Sequence, residues 1–263
     1  MHRRSLSRRA ALLWGVGYPL SACHRSAGTE ASATEDTAPG PASLPFGGLH
    51  IETAGDLADT ERGGTTVVLL HGFGASGDDL LPLARDVAHA RTRYVAPAGP
   101  LELPNGGRAW WPIQSKPVYD AEQVLHTPKE KLEPARLAVV GLLRTIHERF
   151  APDALFLVGF SQGAMLALDV ALIAAASVTR VAVLSGALLD DAAARLATRP
   201  AHPAVFVSHG RQDKVLAFAG AEHLVEALQA HKLSVTFRPF DGGHEITPAI
   251  VADLKSFLST ELE

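Results

Sequence analysis

The chain has 263 residues, 47% of them hydrophobic, which is enough to bury the core of one large domain. The formal net charge is −4 and there is no long basic run, so we expect no nucleic-acid partner. Cys23 is the single cysteine, which excludes an internal disulfide, and none of the 12 histidines stands in a metal-ligand spacing, so we expect no metal.

The N-terminal residues have the layout of a bacterial export signal. Residues 1–9 hold four arginines and no acidic residue, and the apolar stretch that follows is too short for a stable membrane anchor. Residues 7–9 (Ser-Arg-Arg) resemble a twin-arginine motif, and residues 20–23 (Leu-Ser-Ala-Cys) resemble a lipobox, whose cysteine becomes the lipidated first residue. We therefore expect residues 1–22 to direct export and Cys23 to carry a lipid anchor on the periplasmic side of a bacterial envelope. The alternative is a plain N-terminal extension on a cytoplasmic protein.

A flexible tether and one folded domain are expected after this signal. Residues 23–47 are rich in Ala, Ser, Thr, Pro and Gly, and such a segment buries too little apolar surface to offset its ordering entropy. In residues 48–263, short β-type runs alternate with helical segments, which predicts a mostly parallel sheet with helices on both faces. The predicted strands are 49–53, 66–70, 92–96, 154–160, 179–184, 204–208 and 234–240.

Helix positions follow from capping residues and apolar spacing. We expect Asp78 or Asp79 to cap the first helix of the domain. Thr127 begins a capping-box pattern for a second helix, and Pro134 is expected to restart that helix. Two further amphipathic helices are expected near residues 217–230 and, at the C-terminus, from Ile246 to Leu258.

The most informative local pattern is Gly-Phe-Ser-Gln-Gly at residues 159–163, which lies between an apolar β-type run and an apolar helical run. This context predicts a sharp strand-to-helix turn that presents the hydroxyl of Ser161 at the end of a strand. The flanking glycines have no Cβ, so strand and helix can pass close together around a strained serine. A nucleophilic serine needs a base to take its proton and an acid to orient that base.

Two downstream strand ends offer the base and the acid. Residues 204–213 read as a strand and a short loop that ends at Asp213, and residues 240–244 read as a strand end and a glycine loop that ends at His244. Open α/β sheets place their sites at such carboxyl ends. We predict His244 as the base and Asp213 as the orienting acid. The weaker candidates are expected to cap a helix or to shape loops: Asp190, Asp191, Asp241, His71 and His209.

Acyl transfer also needs N–H donors for the oxyanion that develops on the substrate. One candidate is the backbone N–H of Gln162, which follows the predicted nucleophile. The other is the N–H of Phe73, in the glycine-rich loop 71–74 after an apolar strand. Trp110 and Trp111 either bind the substrate as walls of an apolar acyl site or pack beneath a loop.

These motifs together resemble the phospholipase/carboxylesterase family of α/β-hydrolases, over roughly residues 48–260. The segments that carry the resemblance are His71-Gly-Phe-Gly, Gly159-Phe-Ser-Gln-Gly-Ala, His209-Gly-Arg-Gln-Asp and Gly243-His-Glu. The resemblance implies an α/β-hydrolase fold and a serine hydrolase of carboxylic esters, lysophospholipids or thioesters that uses no cofactor. It also implies, by position, a triad of Ser161, Asp213 and His244 with oxyanion donors at Phe73 and Gln162.

The expected substrate is a small-molecule or lipid ester. An exported enzyme is not expected to meet the protein and coenzyme A thioesters of the cytosol, so we rank esterase or lysophospholipase above thioesterase. The alternative from another class is a non-catalytic lipoprotein that keeps the fold as a binding module.

Overall fold

The structure is a computed structural model, and it describes residues 48–58, 60–87, 89–113, 123–174, 177–196, 198 and 203–259. The predicted export signal, the lipidation site Cys23 and the tether lie outside these residues, as do residues 114–122. Within the described ranges, no helix combines the length and the hydropathy of a transmembrane span.

A seven-stranded sheet forms the centre of the fold, and all but one of its neighbouring strand pairs are parallel. Its order is β1-β3-β2-β6-β7-β8-β9, with β1 antiparallel to β3, and β4 pairs with β5 in a separate small hairpin. The predicted, mostly parallel sheet is therefore confirmed. The strands are β1 (Ile51–Gly55), β2 (Thr65–Leu70), β3 (Thr92–Pro97), β4 (Leu101–Glu102), β5 (Arg108–Ala109), β6 (Ala154–Phe160), β7 (Arg180–Leu184), β8 (Ala204–Gly210) and β9 (Val235–Phe240).

Helices cover both faces of the sheet, as predicted. The helices are α1 (Leu83–Asp86), α2 (Lys129–Phe150), α3 (Gln162–Ile173), α4 (Asp190–Leu196), α5 (Phe218–Ala230) and α6 (Pro248–Ser259). One face packs against α2, α3, α4 and α5, and the other packs against α1 and α6. Strand β6 is buried on both faces, because Leu157 lies in the first of these cores and Phe156 in the second. This explains why its sequence reads as a continuous apolar run.

The side-chain caps predicted for two helices are wrong. Helix α1 begins after Pro82, because the segment before it forms consecutive turns, with bonds such as Leu81 N–H to the Asp78 carbonyl, and Asp79 lies inside those turns. Helix α2 has no side-chain cap and runs through Pro134 without a break. Proline has no N–H group, so Pro134 cannot donate a helical hydrogen bond. Because it lies near the N-terminus of α2, the helix loses only one bond, close to that end.

Helix α3 follows β6 directly and is buried nearly all round, as its sequence predicts. It carries one fully buried charge, Asp169, which pairs with Arg136 of α2 (2.6 Å) and with Arg195 of α4. Arg136 also pairs with Asp191 of α4 at 2.9 Å. These ion pairs connect three helices and fix the helix that begins at the predicted nucleophile.

Candidate active site

Ser161 occupies the turn between β6 and α3, with φ 53° and ψ −116°. A positive φ is uncommon for a residue with a side chain and marks local strain of the kind that clusters at functional sites. The turn is fixed by a 2.9 Å hydrogen bond from Ser161 N–H to the carbonyl of Leu184. A Cβ on Gly159 would collide with the carbonyl of Gly163, so the strand and the helix pass each other closely, as the motif predicts.

Asp213 and His244 are in direct contact. Nδ1 of His244 lies 2.7 Å from Oδ2 of Asp213, whose side chain is fully buried. Burial alone would raise the pKa of the Asp213 carboxyl, but hydrogen bonds from His209 and His244 outweigh it and hold that pKa well below its usual range. The ionised carboxylate can only accept, so Nδ1 of His244 carries the hydrogen and Nε2 is the free nitrogen of the neutral ring.

The loops that carry this pair come from neighbouring strands and are bonded to each other. Arg211 N–H donates to the Phe240 carbonyl at 2.8 Å, and Gln212 N–H donates to the Gly242 carbonyl at 2.9 Å. A Cβ on Gly210 would collide with the carbonyl of Gly243. The close approach of the two loops therefore depends on a glycine at the end of β8.

His244 lies beside the strand end that carries Ser161. Its ring packs against Phe160, with centroids 4.9 Å apart, and Phe160 directly precedes Ser161. Nε2 of His244 is buried and makes no hydrogen bond to any residue that the structure describes, Ser161 included. Such bonds are often long in ligand-free enzymes and tighten with substrate. The structure thus joins the predicted acid, Asp213, to the predicted base, His244, and leaves the bond between His244 and Ser161 unformed.

Two backbone N–H groups near Ser161 are candidates for binding an oxyanion. Among the described contacts, neither the N–H of Phe73 nor that of Gln162 donates a hydrogen bond. Gln162 begins α3, where the first N–H groups of a helix have no partner inside it. The loop of Phe73 passes close by, since a Cβ built on Gly72 would lie 3.5 Å from Cβ of Ser161. Both predicted donors therefore lie on segments next to the serine.

Comparison with known proteins identifies the family of this chain. A model of the phospholipase/carboxylesterase family matches residues 58–262. The chain belongs to this family. It is therefore an α/β-hydrolase and a carboxylic ester hydrolase, as its sequence motifs predict.

The relatives of this esterase include plant and bacterial proteins. Carboxylesterase SOBER1 of Arabidopsis thaliana is 23% identical over 210 residues, which cover 76% of this chain and 91% of that protein. The structure of esterase PE8 is 26% identical, with a TM-score of 0.67, and the match covers 80% of this chain and 97% of that one. The acyl-protein thioesterase 2 of Zea mays shares the fold at 21% identity, with a TM-score of 0.61 over 80% of this chain and 97% of that one.

In this esterase, Trp110 and Trp111 are both buried, and Trp110 packs against the loop that carries Phe73. Trp110 Nε1 donates to the His71 carbonyl at 2.9 Å, and the Trp110 ring stacks on the His71 ring with centroids 5.1 Å apart. The side chain of Gln162 holds the same segment, accepting from Trp110 N–H at 2.9 Å and donating to the Trp111 carbonyl at 2.8 Å. For Trp110, the contacts support the packing interpretation. A substrate-binding role for these tryptophans stays a prediction.

His71 shapes the loop, as expected. Nδ1 donates to the Gly72 carbonyl at 2.7 Å, and Nε2 accepts the N–H of Gly99 at 2.9 Å. Burial lowers the pKa of the His71 ring, against an opposing effect of its bond to Gly72. The ring is therefore neutral, with its tautomer set by these two partners.

Sequence reasoning missed two contributions to the site. The hydrogen bonds of the Gln162 side chain to Trp110 and Trp111 left no signal in the sequence, because they depend on where a segment about 50 residues away lies in the fold. His209 was treated as a loop-shaping residue, yet its Nε2 lies 3.2 Å from Oδ2 of Asp213. Its spacing of four residues from Asp213 at a strand end was the available signal. No group of His, Cys, Asp or Glu within the described ranges is arranged to hold a metal.

Proposed function

We propose that this enzyme cleaves carboxylic esters through Ser161, His244 and Asp213. The observation that supports the proposal most is the 2.7 Å contact between His244 Nδ1 and Asp213 Oδ2, beside a strained serine turn. An ionised carboxylate on Nδ1 leaves Nε2 free to take a proton and stabilises the imidazolium that then forms.

The reaction proceeds in two halves. His244 Nε2 takes the proton of the Ser161 hydroxyl while the serine oxygen attacks the ester carbonyl. The N–H groups of Phe73 and Gln162 bind the oxyanion, and each such donor contributes on the order of 3 kcal/mol. His244 then gives its proton to the leaving alcohol, which leaves an acyl group on Ser161. Water attacks that acyl group by the same route in reverse and releases the acid and the free serine.

The proposed substrates are oxygen esters, including lysophospholipids, and the second candidate is an acyl thioester. Carboxylesterase SOBER1 and esterase PE8 are named as esterases, which favours oxygen esters as substrates. The similarity to the thioesterase of Zea mays supports only a shared fold. Rates on matched oxygen esters and thioesters, with acyl chains from acetyl to palmitoyl and with lysophosphatidylcholine, rank these candidates. Faster cleavage of every thioester than of its matched oxygen ester would reverse our order.

The catalytic proposal is tested by Ser161→Ala, with Ser234→Ala as the control. Ser234 is exposed just before β9, and its backbone carbonyl accepts the only hydrogen bond that it makes with the described residues, from Val205 N–H. We expect Ser161→Ala to lose at least about 10³-fold in kcat on p-nitrophenyl esters and to lose labelling by a fluorophosphonate probe. The Ser234→Ala variant should keep both. Full activity in Ser161→Ala would exclude this mechanism.

We also propose, from the sequence alone, that the enzyme is exported and lipid-anchored at Cys23. The supporting pattern is the arginine-rich start followed by Leu20-Ser-Ala-Cys. Mass spectrometry of the mature N-terminus tests this directly. An unprocessed Met1 or an unmodified Cys23 in a bacterial membrane fraction would contradict it.

A further inference from the structure

Asp213 accepts three hydrogen bonds and has a fourth donor group, the His209 ring, in close contact. Oδ1 accepts the backbone N–H groups of Val215 and Leu216, at 2.8 and 3.0 Å. Oδ2 faces two imidazoles, with His244 Nδ1 at 2.7 Å and His209 Nε2 at 3.2 Å. Donor groups thus surround both oxygens of this carboxylate, and one of them is a side chain to which the catalytic proposal gives no role.

The neighbours of His209 determine which of its nitrogens carries the hydrogen. Nε2 lies 3.0 Å from the carbonyl of Leu216 as well as 3.2 Å from Oδ2 of Asp213. Both of these atoms only accept, so Nε2 must be the donor. Nδ1 is buried without a hydrogen-bond partner in the described part of the chain. A second hydrogen there would be a buried, unpaired donor, which is costly.

The position of the His209 ring is fixed by the sheet and by α5. His209 lies in β8, opposite Pro239 of β9, and its side chain is fully buried. Its ring meets Phe218 of α5 edge-on, with centroids 6.1 Å apart, and Phe218 in turn stacks on Phe237. The ring therefore cannot turn away from Asp213 without disturbing packed neighbours.

We propose that His209 is a positioning residue that fixes the carboxylate of Asp213 for His244. The inference rests on the proposed triad. Among the described residues, Oδ1 is held only by the backbone of the loop that carries Asp213, whereas His209 connects Oδ2 to the rigid central sheet. Rotation of the carboxylate about its Cβ–Cγ bond would misdirect the His244 ring, and with it Nε2, relative to Ser161. Small errors of this kind reduce rates strongly, because catalytic groups act only in a narrow range of geometries.

Three variants separate a positioned donor from a merely space-filling ring. His209→Phe keeps a flat ring against Phe218 and removes the donor. His209→Gln places an amide N–H near the position of Nε2, and His209→Asn places one near the position of Nδ1, where Asp213 cannot use it. His231→Gln, at the exposed end of α5, is the control for loss of a histidine.

The measurements are kcat and KM on a soluble p-nitrophenyl ester, together with thermal unfolding of each full-length variant. We expect His209→Phe and His209→Asn to lose about 10- to 100-fold in kcat with KM nearly unchanged. The His209→Gln variant should recover most of this loss, and His231→Gln should match the parent. A ring that only supports the fold would instead make kcat follow the melting temperature across all variants.

The outcomes distinguish this inference from the proposed function. Full kcat in His209→Phe would overturn the positioning role, and so would equal losses of kcat in His209→Gln and His209→Asn. If Ser161→Ala is inactive in the same assays, the proposed triad still stands. An active Ser161→Ala would overturn the triad itself. If His209→Phe fails to fold, the comparison of His209→Gln with His209→Asn decides.

Discussion

Burial disfavours the charged form of two side chains near Ser161, but their hydrogen-bond partners lead to different charge states. Asp213 is fully buried yet ionised, because its donors compensate for the lost water and keep the pKa of its carboxyl low. His71 is also buried, but its partners are one carbonyl oxygen and one N–H group, which suit a neutral ring, and burial lowers its pKa. Donors thus keep the Asp213 carboxylate charged in spite of burial, whereas His71 has no such compensation and stays neutral.

His71 should make stability depend on pH on the acid side of neutrality. Its pKa is below 6.5 in the folded state, so unfolding takes up a proton and stability is lost as pH falls from about 6.5 toward the folded value. The contribution to the free energy of unfolding is at most about 1.4 kcal/mol per pH unit. Urea unfolding of His71→Gln between pH 7.5 and 5 (about the range in which histidines titrate) should show a flatter dependence than the parent.

The control for this measurement is His147→Gln, on the exposed side of α2. It should keep the pH dependence of the parent. Identical curves for His71→Gln and the parent would show that His71 is protonated equally in both states, contrary to the neutral ring that its contacts indicate.

At the scale of elements, buried charges tie together the helices behind the nucleophile turn. Asp169 of α3 is fully buried between Arg136 of α2 and Arg195 of α4. A buried ion pair need not stabilise a fold more than apolar packing would, but removing one partner leaves the other charge uncompensated. The network therefore specifies how α2, α3 and α4 pack against one another. It also fixes the position of α3, whose first backbone N–H group lies next to Ser161.

Asp169→Asn tests this network. We expect the free energy of unfolding to fall by about 3 kcal/mol, because two guanidinium groups lose their buried carboxylate. The matched control is Asp253→Asn on α6, which breaks a half-exposed pair with Arg238 of β9 and should cost less than about 1 kcal/mol. Chemical denaturation of both variants gives the comparison. Equal losses would mean that the buried pairs contribute no more than surface ones.

At the scale of the whole molecule, strand ends were easier to predict from sequence than the contacts between loops. Ser161, Asp213 and His244 each follow a recognisable strand, and a parallel sheet brings such ends to one edge. Two-residue strands such as β4 are too short to show a periodic pattern. The contact of His209 with Asp213 depends on how the intervening loop turns back, which no local pattern reports.

The contact between the loops that carry Asp213 and His244 depends on the absence of a side chain at Gly210. A Cβ at this position would meet the carbonyl oxygens of Gly242 and Gly243, so Gly210→Ala must push the His244 loop away from the end of β8. We expect kcat to fall about 100-fold, because the base is displaced from both Asp213 and the serine.

The matched control is Gly141→Ala in the middle of α2, where an added Cβ meets nothing within 4 Å. It should raise the free energy of unfolding by about 0.5–1 kcal/mol through the better helix propensity of alanine, and leave kcat unchanged. The two substitutions add the same methyl group, but only Gly210→Ala is expected to lower kcat. Parent-like kcat in Gly210→Ala would mean that the His244 loop has a second way to reach Asp213, and the dependence of the site on this close approach would be disproved.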